Sequence, residues 1–241
     1  MQAQAEKLNK QFSNSTAPEA LQYFCTQPGQ KAVFTTSFGL EDQVLTHMIC
    51  TWVPGVRIVT LDTGRLFEET YQLLDLTAKH FGIKIEVYFP EQKRVEEMVN
   101  SRGVNLFYDS IENRKLCCHV RKTESLKRAL AGASLWITGI RREQSVTRYS
   151  APLVEWNDQY GLLKLNPLKD WTEQMVWDYI RLYNIPYNPL HDKGFPSIGC
   201  SPCTRAVREG EDLRAGRWWW EQPENKECGL HIYAKGKDKS V

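Results

Sequence analysis

The sequence predicts an α/β protein built on an open, mostly parallel, doubly wound sheet, with an irregular segment at the C-terminal end. Three observations predict it. Over the first two thirds of the 241 residues, short β-branched runs alternate with stretches of helical periodicity. Several of these runs end in polar turns rich in Gly, Ser, Thr or Arg. Beyond Pro186 and Pro189 the periodicity fades. Strands that alternate with helices pair in parallel through right-handed crossovers, giving an open sheet covered on both faces.

The elements follow in order. Residues 31–37 (KAVFTTS) read as the first strand, with a helix expected over about 41–50. Residues 56–61 (VRIVTL) form a β-branched run suited to burial in a parallel sheet. Asp62, Thr63 and Gly64 break it, and an amphipathic helix is expected over 67–80, ended by Gly82. Residues 83–89 (IKIEVYF) are the third strand, stopped by Pro90, and a Glu- and Val-rich helix follows to about residue 100. A helix over 121–131 leads into a fourth strand, 135–138 (LWIT), and residues 162–165 read as a fifth. A helix is expected over 171–183 with Thr172 as its cap. From His191 onward loops, short helices and a polar tail are expected.

Composition narrows the class. Hydrophobic residues at 41% and charged residues at 25% support a packed core. A net charge of +2 lacks the basic excess of nucleic-acid binders, so no nucleic-acid partner is expected. No apolar run is long enough to span a bilayer, and the polar N-terminal residues carry no apolar signal region. A cytoplasmic location, away from membranes, is expected. Seven cysteines in that setting point to metal or redox chemistry rather than a disulfide framework. Trp218, Trp219 and Trp220 stand in a row, which a core rarely needs.

In a doubly wound sheet, ligands bind at the carboxyl ends of the strands. Three polar strand ends then converge: Ser37, Phe38 and Gly39; Leu61, Asp62, Thr63 and Gly64; and Gly139, Ile140, Arg141 and Arg142. The first is a strand-to-helix turn whose backbone N–H groups suit an anion. It lacks the GK[ST] of a Walker loop and the spacing of the dinucleotide fingerprint. Arg141, Arg142 and Arg148 crowd one loop, and Arg214 and Arg217 precede the tryptophans. Any one of these could be a solvated surface charge. Together they favour a small, multiply anionic ligand, because guanidinium forks match phosphate and sulfate oxygens.

Cys117 and Cys118 are adjacent, Cys200 and Cys203 form a C-x-x-C pair, and Arg121 and Lys122 follow the first pair. Four thiolates can hold zinc or an iron–sulfur cluster. Neighbouring side chains diverge, so vicinal cysteines fit the spread ligand positions of a cubane better than a zinc knuckle. A buried or redox-active thiol pair is the plainer alternative. Cys25 and Cys50 read as small hydrophobes. Cys228, in the polar stretch Lys226-Glu227-Cys228-Gly229-Leu230-His231, is poorly explained by packing. The neighbouring cation would favour its thiolate.

These motifs resemble the thioredoxin-dependent, iron–sulfur adenylyl-sulfate (APS) reductases. The likeness runs from about Lys31 to Tyr233. It rests on Cys117-Cys118 with Arg121-Lys122, on Cys200-Ser201-Pro202-Cys203-Thr204-Arg205, on Arg214-Ala215-Gly216-Arg217-Trp218-Trp219-Trp220 and on Glu227-Cys228-Gly229-Leu230-His231. The resemblance implies an adenine-nucleotide-binding, ATP-pyrophosphatase-like fold. It implies a 4Fe–4S cluster on Cys117, Cys118, Cys200 and Cys203. It gives Cys228 as nucleophile, with Lys122 and His231 beside the reacting sulfate, and Ser37, Leu61, Gly139, Arg148, Arg214 and Arg217 against APS. Thioredoxin or glutaredoxin would be the electron donor, and a homo-oligomer is expected. The division implied is a nucleotide-binding domain over 1–190 and a cluster-ligand segment with a mobile catalytic tail over 191–241. The nearest alternative is a 3′-phosphoadenylyl-sulfate (PAPS) reductase or an enzyme accepting both substrates. An ATP pyrophosphatase or tRNA sulfurtransferase would need an S-G-G-x-D-S loop, and a zinc or redox-sensing module leaves the arginines unexplained.

Overall fold

The computed structural model describes residues 1–222. Two helices, α1 (Gln2–Gln11) and α2 (Ala17–Cys25), precede the first strand. Both are absent from the sequence reading; α1 buries only Ala5 and so leaves little periodicity, whereas α2 carried a local signal that was overlooked. Helix α2 starts with a capping box between Thr16 and Glu19 and buries Ala20, Leu21 and Phe24. Then come β1 (Ala32–Thr36), α3 (Leu40–Trp52), β2 (Arg57–Leu61), α4 (Glu68–Phe81), β3 (Ile85–Tyr88) and α5 (Gln92–Arg102). Gly82 closes α4 in the left-handed conformation at φ 61°.

Helix α6 (Ile111–Cys118) runs through a π-helical turn, His119–Thr123, into α7 (Glu124–Ala129). The chain continues through β4 (Leu135–Ile137), β5 (Val154–Asn157), β6 (Leu162–Leu165) and α8 (Glu173–Leu182). The Thr172 hydroxyl accepts the Met175 N–H and so caps α8, as expected. Beyond it the described chain holds two single-turn 3-10 helices, His191–Lys193 and Ser201–Cys203.

The sheet has the order β3-β2-β1-β4-β6-β5 and is parallel except for the β5 edge, which pairs antiparallel with β6. The antiparallel edge strand β5 is absent from the sequence reading. Only Val154 of its four residues is buried, so it shows neither an apolar run nor a clean alternation. Strand alternation divides the core. Phe34, Ile58, Leu135 and Ile137 pack toward α2, α3 and α8. Val33, Val59 and Trp136 pack toward Leu126 and Ala129 of α7. The chain builds outward from β1 to β3 and then returns to β4 on the other side of β1. That reversal creates a crevice beyond the carboxyl ends of β1 and β4. Among the described residues, no helix is long and apolar enough to cross a membrane.

Candidate active site

The crevice is a cavity of about 230 Å3 at the carboxyl ends of β1, β2 and β4. Ser37, Phe38 and Gly39 line it from β1, Leu61 and Thr63 from β2, and Gly139 and Arg141 from β4. Lys122 enters from the π-helical turn, Arg148 from the loop after β4, and Arg214, Arg217 and Trp218 from the C-terminal segment. The turn after β1 is held from within. Asp42 Oδ2 accepts the Ser37 N–H at 2.6 Å and its hydroxyl at 2.8 Å. Phe38 is buried with φ 61°, and its N–H donates to Thr36 Oγ1 at 3.0 Å. A left-handed phenylalanine is strained, and such strain concentrates at ligand sites. Gly139 has to be glycine here, because a Cβ would collide with the Asp42 carboxylate.

Three expected lining residues stand off the cavity. Arg142 turns away to bond the Ala151 carbonyl at 2.9 Å and to pair with Asp170 at 2.5 Å. Asp62 accepts the Gly64 N–H at 2.7 Å and the Tyr71 hydroxyl at 2.8 Å. Asp62 and Gly64 thus shape the loop after β2 rather than face the cavity. Arg141 lines the cavity with its charge already balanced. Its Nε donates to Glu41 at 2.7 Å, and its Nη1 reaches Glu143 and the Trp171 carbonyl. The sequence reading missed four ionisable lining residues, Glu41, Asp42, Glu173 and His191. Acidic residues in a first helical turn are common, and nothing local marks His191, so no signal was there to find.

A second, smaller cavity adjoins the first. Cys117, Cys118, Cys200 and Cys203 all line it, together with Arg65, Arg114 and Arg121. Lys122, Arg217 and Trp218 line both cavities and form their common wall. The π-helical turn directly after Cys118 presents Arg121 and Lys122 there. Such turns are rare and recur at functional sites. Arg121 Nη1 donates to the Thr63 carbonyl at 2.7 Å, and the Thr63 hydroxyl meets Cys200 Sγ at 3.3 Å. An antiparallel bridge between Thr204 and Arg217, with the Trp218 N–H donating to the Cys203 carbonyl at 3.1 Å, brings the tryptophan run beside the thiols. Trp218 is fully buried, and the guanidiniums of Arg114 and Arg217 lie over its ring at 4.9 and 4.7 Å.

The thiols respond unequally. Burial pushes Cys203 up to about 12, with Cys200 and Cys118 adding to the rise. Burial also raises Cys117 against the pull of Arg121. Cys200 is opposed by burial yet lowered, because Lys122, the Thr63 hydroxyl, Arg217 and Arg121 together outweigh it. Among the described residues, no group of three or more His, Cys, Asp or Glu side chains could hold a single metal ion. Cys25 and Cys50 are raised by burial and lie apart in the main core, as small hydrophobes do. Cys228 and His231 lie outside the described residues.

Fold and site together define a doubly wound α/β protein in which a cation-lined cleft abuts a pocket of four thiols. The chain belongs to the phosphoadenosine phosphosulfate reductase domain family, whose model matches residues 31–206. It is 54% identical to the adenosine 5′-phosphosulfate reductase of Allochromatium vinosum over 217 residues, 90% of this chain and 84% of that protein. It is 51% identical to the protein of that name from Burkholderia cepacia, covering 84% of this chain and 81% of the other. A crystal structure of phosphoadenylyl-sulfate reductase from Candida auris superposes with a TM-score of 0.71 at 30% identity, covering 86% of this chain and 98% of that one. The Candida glabrata FMN adenylyltransferase, at 15% identity and a TM-score of 0.54, shares the fold alone.

Proposed function

We propose that this protein reduces adenylyl sulfate to sulfite and AMP in sulfate assimilation. One observation carries the reading. The cation-lined end of the cleft and the four-thiol pocket share a wall of Lys122, Arg217 and Trp218. A sulfate–phosphate anhydride bound in the cleft would meet its cations there.

Cys228 is the proposed nucleophile. Its thiolate attacks the sulfur of the anhydride, a sulfur–sulfur bond forms, and AMP leaves with the electrons of the broken S–O bond. Thiolate and sulfate are both anions, so their approach is uphill in a site shielded from water. Lys122, Arg148, Arg214 and Arg217 offset that repulsion and stabilise charge developing on the leaving oxygen. His231 assists beside the sulfate. A dithiol donor of the thioredoxin class then attacks the Cys228 sulfur. Sulfite departs with the electron pair, and the donor's second thiol resolves the mixed disulfide and frees Cys228. Sulfur gains two electrons, and the dithiol supplies both.

Cys117, Cys118, Cys200 and Cys203 are the proposed ligands of a 4Fe–4S cluster. The donor set fits: four thiols line one pocket, and the cations Arg65, Arg114, Arg121, Lys122 and Arg217 line it with them. Such a cluster would supply a fixed charged body against which Lys122 is held, with no electron transfer required of it.

The test is an anaerobic assay with reduced thioredoxin that counts sulfite from adenylyl sulfate and, in parallel, from its 3′-phosphorylated form. Sulfite from adenylyl sulfate is the expected result. Turnover of the 3′-phosphorylated form alone would move the reading to a PAPS reductase, and no sulfite from either would overturn it.

A further inference from the structure

The wall shared with the thiol pocket fixes which end of the cleft takes the sulfate, and so which end takes the nucleoside. Residues that line the cleft but not the thiol pocket include Glu41, Arg141, Glu173 and His191. Their chemistry differs from that of the Lys122 end. Arg141 is paired with Glu41 at 2.7 Å and bonded to Glu143, so its cation is compensated. Glu173 has no hydrogen-bond or ion-pair partner among the described residues. Of these four residues two are carboxylates and the one guanidinium is compensated, whereas Arg148 and Arg214, which also line the cleft but not the thiol pocket, are the cations proposed above for the anion.

His191 is the unexplained group there. Both ring nitrogens are buried, and neither has a hydrogen-bond partner among the described residues. The Phe195 backbone lies near enough to favour a proton on the ring but falls outside hydrogen-bonding geometry. The ring is held edge-on to Trp177 at 6.1 Å, so its direction is set. Burial holds it below the usual histidine range against the opposing influence of Glu41, so the ring is neutral near pH 7. A neutral imidazole offers one N–H and one lone pair. Leaving both unmet in a buried site is costly, and a ligand that brings a donor and an acceptor removes that cost.

An adenine nucleotide has three parts to place. The anion belongs with Lys122 and Arg217. The flat base suits the apolar lining next to Glu41, Arg141 and Glu173, such as Leu40, Ile140 and Val176. The ribose hydroxyls, each both donor and acceptor, match His191. A phosphate in their place accepts but, when ionised, does not donate, and it would face Glu41 and Glu173.

We propose that His191 reads the ribose hydroxyls of the bound nucleotide and that Glu41 beside it excludes a 3′-phosphate, so that the two together set the preference for adenylyl sulfate over its 3′-phosphorylated form. This rests on the adenylyl-sulfate reading above and assigns the specificity of that same site.

The experiment measures binding without turnover, by calorimetric titration of the purified protein with AMP, AMP bearing a 3′-phosphate, and 3′-deoxy-AMP. The wild type binds AMP more tightly than its 3′-phosphorylated form. His191→Phe weakens AMP binding by about tenfold and leaves 3′-deoxy-AMP nearly unchanged, while His191→Gln, which keeps a donor and an acceptor, recovers part of the loss. Glu41→Gln tightens binding of the 3′-phosphorylated nucleotide by about tenfold, since it removes a carboxylate and releases Arg141. Equal weakening of AMP and 3′-deoxy-AMP by His191→Phe would place the ring on the base and overturn the proposal. So would wild-type selectivity in Glu41→Gln. Failure of the wild type to bind AMP at all, or to release sulfite from adenylyl sulfate, would overturn the functional reading and this inference with it. Intact wild-type binding and turnover with unresponsive variants would overturn this inference alone.

Discussion

Arg114 and Glu221, 107 positions apart, form a two-pronged ion pair with Nε–Oε1 at 2.9 Å and Nη2–Oε2 at 2.7 Å, both side chains almost fully shielded from solvent. Arg114 sits three positions before Cys117 on α6, and its guanidinium also lies against the Cys118 thiol. Glu221 stands seven positions before Cys228 in the sequence. The pair ties the helix that carries two of the thiols to the end of the described chain. Breaking a buried pair strands a charge and costs about 3–5 kcal/mol. Glu221→Gln is expected to lose stability on that scale in urea denaturation. Arg114→Met combined with Glu221→Leu is expected to recover most of it, since neither charge is then left alone. Equal losses for the single and double variants would contradict this.

Asp42 gives a pH signature. Burial lifts its carboxyl from 3.8 to about 6, the two bonds from Ser37 oppose the rise, and Glu41 adds to it. The folded value lies above the unfolded one, so the folded state holds its proton more tightly. The resulting stability is complete below pH 3.8 and is lost as pH rises through about 6. The loss is on the order of 3 kcal/mol. Asp42→Asn should flatten the stability profile between pH 4 and 7 relative to the wild type, read from urea midpoints at each pH. A parallel offset between the two profiles would show that Asp42 is not the titrating group.

Gly139→Ala tests the junction between β4 and α3. The added methyl meets the Asp42 carboxylate, which also holds the Ser37 turn. Overpacking of this kind costs about 1–3 kcal/mol. AMP affinity and melting temperature are expected to fall together. A melting temperature and AMP affinity both unchanged would mean the turn yields freely.

Lys122 and Arg217 are expected to act on rate. Lys122→Ala and Arg217→Ala should each lower kcat/KM for adenylyl sulfate by about 10²–10³ if they stabilise the leaving oxygen. Cys228→Ser should abolish any protein-bound sulfonate in the mass spectrum after substrate is added without reductant. A sulfonated Cys228→Ser protein would put the nucleophile elsewhere.

The thiol pocket makes a prediction about metal. Anaerobically purified protein is expected to be brown, with roughly four iron atoms per chain and no stoichiometric zinc. Cys203→Ser should lose most of the iron. A colourless protein with one zinc would overturn the cluster assignment.

How much of this was legible without coordinates depended on whether the cause was local. Strands β1, β2, β3, β4 and β6 were readable because central parallel strands are apolar runs bounded by polar turns. The stop at Gly82 and the start at Thr172 were readable because capping is a matter of neighbouring residues. β5 was not, since an edge strand with one buried residue leaves no pattern. α6 was not, because IENRKLCC is weakly amphipathic and its helix is secured by contacts as remote as Glu221.

By itself, the sequence determined that polar strand ends, five arginines and two cysteine pairs would have to be accommodated, because residue type and spacing fix chemical capacity. Only the tertiary structure decided where that capacity points. It turned Arg142 outward to Asp170 and balanced Arg141 with Glu41, and it made Lys122 and Arg217 a wall common to two cavities. It also brought His191 into the cleft with both nitrogens unmet. The direction of a side chain is set by partners distant in sequence, Asp170 for Arg142 and Glu41 for Arg141, and that information appears only when the chain has closed on itself.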